Sequence, residues 1–191
     1  MKLIEKAIEV LKRGELIVYP TDTLYGIGAD AFNMEAVKKV YDVKRRSYNK
    51  PISIAVGNLK QIEEMAILDE IAYKIIKEFM PGGVTIILKK ARDMPFLKDT
   101  VAIRMPANEI ALKIAEKIPI TATSANVHGK SPPYTIEMAK KQLKDKISLY
   151  IDYGKLIGIP STIIDISEGK IKIIREGLVK KEEIYGRIRE I

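Results

Sequence analysis

Apolar residues recur at helical spacing in several segments of the chain. Along residues 2 to 13 they return every three or four positions, which predicts an amphipathic helix that ends at Gly14. Four more helices are predicted to begin after residues whose side chains can cap an N-terminus: Asn33, Asn58, Asp69 and Thr135. Two further helices are predicted at 109 to 117 and at 180 to 189.

Short apolar runs bounded by Gly, Pro or polar residues predict strands between these helices. The predicted strands are 15 to 19, 52 to 56, 84 to 88, 100 to 104, 118 to 123, 148 to 151, 161 to 166 and 171 to 174. The alternation indicates an α/β domain, and a hairpin turn at 167 to 170 makes the sheet mixed. No repeat or linker divides the chain, so we expect one domain over residues 1 to 191.

Polar clusters interrupt this pattern at the ends of predicted strands, where an open sheet presents its loops to a ligand. The clusters are 21 to 28, 44 to 50, 124 to 129 and 160 to 162. In the first, expected to be a loop, hydroxyls lie beside Gly26 and Gly28 and suit a small polar ligand, although a tight turn gives the same composition. Neither a complete dinucleotide-binding fingerprint nor a P-loop is present, so a bound ATP requires a different kind of phosphate-binding site.

The composition limits the kinds of ligand, catalytic group and cellular compartment that we expect for this protein. The 33 Lys and Arg against 25 Asp and Glu leave a formal charge of +8, which attracts phosphates but also suits the Lys-rich surface of a thermophilic protein. The absence of Cys excludes disulfides, thiolate metal sites and a thiol nucleophile. No apolar run approaches the roughly 20 residues of a membrane span, and an early acidic residue interrupts any signal peptide, so we expect a cytoplasmic protein.

Two basic features are ambiguous when taken alone. The run from Lys44 to Arg46, with Lys50 nearby, offers donors suited to a polyphosphate, but such runs more often form a solvated surface. His128 is the only histidine and has no orienting partner in local sequence. We expect it to lie in a surface loop and assign it no catalytic role.

Taken in order, seven motifs resemble those of the YrdC-like family of threonylcarbamoyl-adenylate synthases. They are PTDTLYGIG (20 to 28), KRR with KPISIAV (44 to 56), MPGGVTIIL (80 to 88), VAIRMP (101 to 106), TSANVHGKSPP (123 to 133), PSTIID (160 to 165) and IIREG (173 to 177). The resemblance covers nearly the whole chain. It implies a twisted mixed α/β sheet with flanking helices around a positively charged cavity.

The resemblance also implies a reaction. L-threonine captures bicarbonate, and the resulting carboxylate attacks the α-phosphate of ATP to give threonylcarbamoyl-AMP and pyrophosphate. The product passes to a separate tRNA threonylcarbamoyl transferase complex. Magnesium is expected to arrive with ATP rather than in a fixed protein site, and no membrane partner is expected.

Carried onto this sequence, the family's functional residues fall into two sets. The threonine set is Thr23, Arg104, Ser124 and Ser161, and the ATP set is Lys44, Arg46, Thr100, Asn126, Tyr134 and Arg175. Lys44 and Arg46 are the catalytic candidates, because cations stabilise charge that develops during phosphoryl transfer. On this basis, removal of Lys44 is expected to lower the rate and to leave the melting temperature unchanged.

The chain departs from the family pattern at three places and leaves other functions open. Ala55 stands where many longer relatives have His, Ser47 where Pro is common, and Ser131-Pro132-Pro133 varies the usual segment. We also expect no C-terminal accessory domain. One alternative function is a double-stranded RNA-binding module without catalytic activity, with double-stranded RNA or tRNA as its ligand. The other two are a related carbamoyl-adenylate-forming paralogue and a paralogue that has lost threonine activation.

Overall fold

The computed structural model describes residues 2–94 and 96–189. Its helices are α1 (Lys2–Lys12), α2 (Met34–Lys44), α3 (Leu59–Met65), α4 (Glu70–Phe79), α5 (Glu109–Lys117), α6 (Ile136–Leu143) and α7 (Lys181–Arg189). Its strands are β1 (Ile17–Tyr19), β2 (Gly26–Gly28), β3 (Ser53–Ala55), β4 (Val84–Lys89), β5 (Thr100–Arg104), β6 (Ile120–Ser124), β7 (Leu149–Tyr150), β8 (Thr162–Asp165) and β9 (Lys172–Arg175). The predicted α/β class is confirmed.

All four predicted helix caps are confirmed. The side chains of Asn33, Asn58 and Asp69 accept hydrogen bonds from the backbone N–H three residues ahead, at 2.8 to 3.1 Å. Thr135 does the same at 3.5 Å. Each cap satisfies a backbone donor that the first helical turn leaves without a partner, so these helices begin where the sequence indicates.

The described strands form one mixed sheet in the order β7-β1-β2-β6-β3-β5-β4-β8-β9. Three pairs are parallel, namely β1/β7, β3/β5 and β4/β8, and the remaining neighbours are antiparallel. The predicted hairpin between β8 and β9 is confirmed. Helices flank the sheet, and the buried apolar residues form three clusters against it.

One strand was not predicted. The segment expected to be a loop after β1 contains β2, which pairs with β1 on one side and with β6 on the other. Two glycines disfavour a strand by propensity, but here they make room for larger neighbours. A Cβ at Gly28 would lie 2.9 Å from Ile17 Cγ1, and one at Gly26 would lie 3.1 Å from the ring of Tyr19.

Within the described residues, no helix is both long enough and apolar enough to cross a membrane.

Candidate functional site

An open pocket of about 270 Å³ lies over one face of the sheet. The strands below it carry small residues on that face: Gly26, Ser53, Ala55, Ala122 and Ser124. Side chains two positions apart in a strand point to the same face, so Ser53 and Ala55 lie side by side, as do Ala122 and Ser124. Space remains above the sheet because none of these residues is large enough to fill it.

Six of the predicted functional residues line this pocket, although they come from distant parts of the sequence. They are Thr23, Arg46, Arg104, Ser124, Ser161 and Arg175. Three are arginines, and no carboxylate lies among the lining residues that the structure describes. The pocket is therefore cationic and rich in hydroxyls, as required for a ligand that carries a carboxylate or phosphates.

Arg104 is fixed in place by three protein contacts. Its Nη1 donates to Thr23 Oγ1 at 2.7 Å, its Nη2 donates to Asp22 Oδ1 at 2.7 Å, and its Nε donates to the carbonyl of Gly82 at 3.1 Å. The guanidinium has five N–H donors, of which these contacts use three, so two remain for a ligand. Arg104 is thus oriented before any ligand arrives.

Asp22 is a residue of this site to which the sequence analysis gave no role. Its Oδ1 accepts from both Arg104 and the backbone N–H of Ala107, at 2.7 and 3.0 Å. Thr21 is a second such residue, because its Oγ1 accepts from the N–H of Leu24 and donates to the carbonyl of Leu24. An acidic residue between two threonines in PTDT was the signal available in the sequence, but its arginine partner is 82 positions away.

A second part of the pocket lining is built around Ser161. Its Oγ is 2.9 Å from Thr85 Oγ1, and Arg175 Nη2 donates to its backbone carbonyl at 2.7 Å. Burial lowers the pKa of Arg175, and the like charge of Arg104 lowers it further. An arginine stays protonated under such shifts, so two positive charges face the same cavity.

Lys44 lies behind the pocket wall rather than on a solvated surface. Its side chain is buried, with only 2% of the residue exposed. The ammonium donates to the backbone carbonyls of Ser124 and Asn126, the latter at 2.9 Å. Burial, and then the charge of Arg46, lowers the pKa of Lys44 to about 7.

This environment corrects one expectation about Lys44 and leads to a different prediction for its removal. The solvated-surface alternative is wrong for this residue. Its removal leaves the carbonyl of the buried Asn126 without its Lys44 donor, whereas the Ser124 carbonyl still accepts from the N–H of Asn126. An unsatisfied buried group costs about 1–3 kcal/mol. We therefore expect a lower melting temperature rather than an unchanged one.

Asn126 is adjacent to the pocket but does not line it. Its Oδ1 accepts from Ser124 Oγ, and its Nδ2 donates to the carbonyls of Val127 and Lys130 at 2.9 and 2.7 Å. These contacts all lie within residues 124–130, so the Asn126 side chain stabilises its own loop. Its predicted contact with ATP remains a prediction.

The remaining candidates occupy different places. Thr100 begins β5 and pairs with Lys89, whereas Arg104 ends the same strand. Four residues of a strand span about 13 Å, so Thr100 is distant from Arg104, and it does not line the pocket. Its predicted contact with ATP stays a prediction. Tyr134 does not line the pocket but lies two residues after Pro132, which does, and it is partly exposed. His128 is exposed on its loop, as predicted.

The sequence matches the family model of Sua5, YciO and YrdC, described as "Telomere recombination", over residues 9–177. A Methanocaldococcus jannaschii protein, provisionally named threonylcarbamoyl-AMP synthase, is 43% identical over 187 residues. The match covers 94% of this chain and 90% of that protein. The threonylcarbamoyl-AMP synthase of Pyrococcus abyssi is 38% identical, with 98% of this chain matched but only 58% of the relative.

Comparison with solved structures leads to the same family. The crystal structure of P. abyssi Sua5 complexed with L-threonine superposes with a TM-score of 0.93 at 38% identity, over 98% of this chain and 58% of that one. Escherichia coli YciO superposes with a TM-score of 0.87 at 27% identity, over 96% of this chain and 93% of its own. The chain therefore matches a shared fold unit that occurs both alone and as part of longer proteins.

Proposed function

This chain belongs to the Sua5/YciO/YrdC family, and on that basis we propose that it is a threonylcarbamoyl-AMP synthase. One observation carries the proposal: hydroxyls and arginines from distant segments converge on one pocket. Thr23, Arg104 and Ser161 are suited to an amino acid, and Arg46 and Arg175 to phosphates. The P. abyssi relative of this fold binds L-threonine, which supports the same ligand here.

The proposed reaction has two steps. The neutral amine of L-threonine attacks the carbon of bicarbonate, and loss of water gives N-carboxy-threonine. A carboxylate oxygen of that intermediate then attacks the α-phosphorus of ATP. The new P–O bond replaces the bond to the β-phosphate, so pyrophosphate leaves and threonylcarbamoyl-AMP remains.

Arg104 is proposed to hold the threonine carboxylate with its two unused donors, because Asp22 and Thr23 already fix its plane. The hydroxyls of Ser161 and Ser124 are then available to the amine and hydroxyl of the substrate. Such fixed donors accelerate the reaction by positioning, since the reacting groups do not need to be reoriented. Ala55, buried beside Arg104 in the sheet register, leaves the floor of this part of the pocket open.

Charge stabilisation is proposed to come from Arg46 and Arg175, with Lys44 supporting the Ser124 to Asn126 loop from behind. Negative charge grows on the departing pyrophosphate, and fixed cations stabilise it more than they stabilise ATP. Among the described residues, no group of three or more His, Asp or Glu side chains is placed to hold a metal ion. We propose that magnesium enters with the ATP phosphates, whose charge it partly neutralises.

The test is release of pyrophosphate from ATP, measured with L-threonine and bicarbonate each omitted in turn. Dependence on all three substrates is the expected result. Arg104→Gln should raise the KM for threonine by about tenfold, because it removes one charge-assisted contact with the substrate. Arg13→Gln is the matched control, because Arg13 is exposed, pairs with Glu15 and does not line the pocket. Turnover that ignores threonine would instead indicate a carbamoyl-adenylate paralogue.

The wider role follows from the product. We propose that threonylcarbamoyl-AMP is handed to a tRNA threonylcarbamoyl transferase complex in the cytoplasm, where ATP and tRNA occur together. Salt-sensitive binding of double-stranded RNA without any threonine-dependent turnover would favour the RNA-binding alternative.

A further inference from the structure

The loop of residues 125–131 joins two residues that line the pocket, Ser124 and Pro132. At its start, Lys44 of α2 donates to the carbonyls of Ser124 and Asn126. Farther along, Gln142 joins the loop to α6, a helix that contributes nothing to the pocket lining. Two different helices, α2 and α6, therefore hold this loop.

Gln142 makes two hydrogen bonds with the backbone of the loop. Its Oε1 accepts from the N–H of Val127 at 3.2 Å, and its Nε2 donates to the carbonyl of Ser131 at 3.0 Å. Among the residues that the structure describes, neither backbone group has another hydrogen-bond partner. One side chain thus ties together both ends of a turn, because an amide carries an acceptor and a donor at the same time.

Helix α6 gives this amide a fixed origin. Its buried residues Ile136, Ala139 and Leu143 recur every three or four positions and so lie on one face of the helix. They belong to the same apolar cluster as Ala125, the first residue of the loop. Because the loop and the helix share one core, packing sets the distance that Gln142 must span.

The turn that Gln142 holds also orients the hydroxyl of Ser124. Asn126 Nδ2 donates to the carbonyls of Val127 and Lys130 at 2.9 and 2.7 Å. Its Oδ1 therefore faces the other way and accepts from Ser124 Oγ. Since the Ser124 proton points to Asn126, the oxygen of Ser124 can only accept a hydrogen bond on the side of the pocket.

We propose that Gln142 is a positioning residue, which holds the loop of residues 125–131 in the conformation in which Ser124 presents an acceptor to the ligand. It acts through Asn126 and Ser124, because it does not line the pocket itself. That the ligand is L-threonine, whose amine or hydroxyl would donate to Ser124, rests on the proposed function. Without the amide, only a fraction of the molecules keeps the ordered loop, and the apparent affinity falls by that fraction.

The experiment compares Gln142→Met, which keeps the length of the side chain but removes its amide, with Gln61→Met. Gln61 is the matched control, because its amide also accepts from one backbone N–H, that of Gly57, and donates to the carbonyls of Ala115 and Glu116. Neither Gln61 nor any of these three partners lines the pocket. Both substitutions remove hydrogen bonds to the backbone and should lower the melting temperature.

Two measurements should respond only to Gln142→Met. Amide hydrogen exchange in residues 124–131, followed without any ligand, should become about threefold to tenfold faster, because one partly buried and one exposed hydrogen bond are lost. The KM for threonine should rise by a similar factor, whereas kcat should stay within about twofold, since bound substrate selects the ordered loop. In a Ser124→Ala background, the same substitution should raise the KM less.

Unchanged hydrogen exchange in Gln142→Met would overturn the proposal, as would a lower kcat at an unchanged KM, which is the pattern expected for a loss of folded protein alone. Equal increases in KM with and without the Ser124 hydroxyl would also overturn it, because Gln142 would then act independently of Ser124. If exchange accelerates only in Gln142→Met but turnover ignores threonine, Gln142 holds the loop as proposed and the proposed synthase activity fails.

Discussion

Removal of the Asp22 carboxylate should weaken both the fold and the threonine site, because Asp22 is the anionic partner of Arg104. The two side chains are only 14% and 9% exposed, and their contact is 2.7 Å long. Loss of one partner from a buried ion pair costs about 3–5 kcal/mol. Since some solvent reaches this pair, we expect Asp22→Ala to lower the free energy of unfolding by about 3 kcal/mol.

For a chain of this length, that loss corresponds to a melting temperature about 6–12 °C lower. The KM for threonine should also rise, because Arg104 loses the contact that fixes its Nη2. Asp22→Asn separates charge from geometry, since the amide oxygen can still accept from Arg104 and from the N–H of Ala107. It should recover more than half of the lost stability. Asp93→Ala, which removes an 87% exposed partner of Lys90, should change neither quantity.

Chemical denaturation gives the free energies, and pyrophosphate release at varied threonine gives the KM. A double-mutant cycle with Arg104→Met isolates the pair, and its coupling energy should exceed about 1 kcal/mol. A coupling energy near zero, or full stability in Asp22→Ala, would show that Arg104 is positioned by its other contacts and would refute this reasoning.

Two further predictions concern Lys44 and Gly177. The folded-state pKa of Lys44, about 7, lies below its ordinary 10.5, so the unfolded chain binds the extra proton between these values. The free energy of unfolding should therefore rise with pH across that window, and it should rise less steeply in Lys44→Met. Denaturation at several pH values measures both slopes, and equal slopes would contradict the lowered pKa of Lys44. A Cβ at Gly177 would lie 2.2 Å from the carbonyl oxygen of Pro160, so Gly177→Ala should displace Ser161 and raise the KM for threonine. Gly186→Ala, which meets nothing within 4 Å on α7, should leave the KM unchanged, and a normal KM in Gly177→Ala would count against the role of Ser161.

The sequence determined the local structure of this protein. Helix starts at Asn33, Asn58, Asp69 and Thr135 were predictable, because a cap bonds to a backbone N–H only two or three residues away. The β8/β9 hairpin was predictable for the same reason, since its turn joins neighbouring strands. The motif order also indicated which loops carry polar chemistry.

The tertiary structure decided what those loops do. Strand β2 exists because β1 and β6 supply its hydrogen bonds and Tyr19 occupies the space that glycine leaves, and neither fact is visible in the local pattern. Only the tertiary structure brings Asp22 to Arg104, 82 positions away in the sequence. Lys44 belongs to a basic run in sequence, yet it is buried against the carbonyls of residues 124 and 126. Local spacing fixes hydrogen bonds within a segment, but burial and charge pairing depend on which distant segments become neighbours.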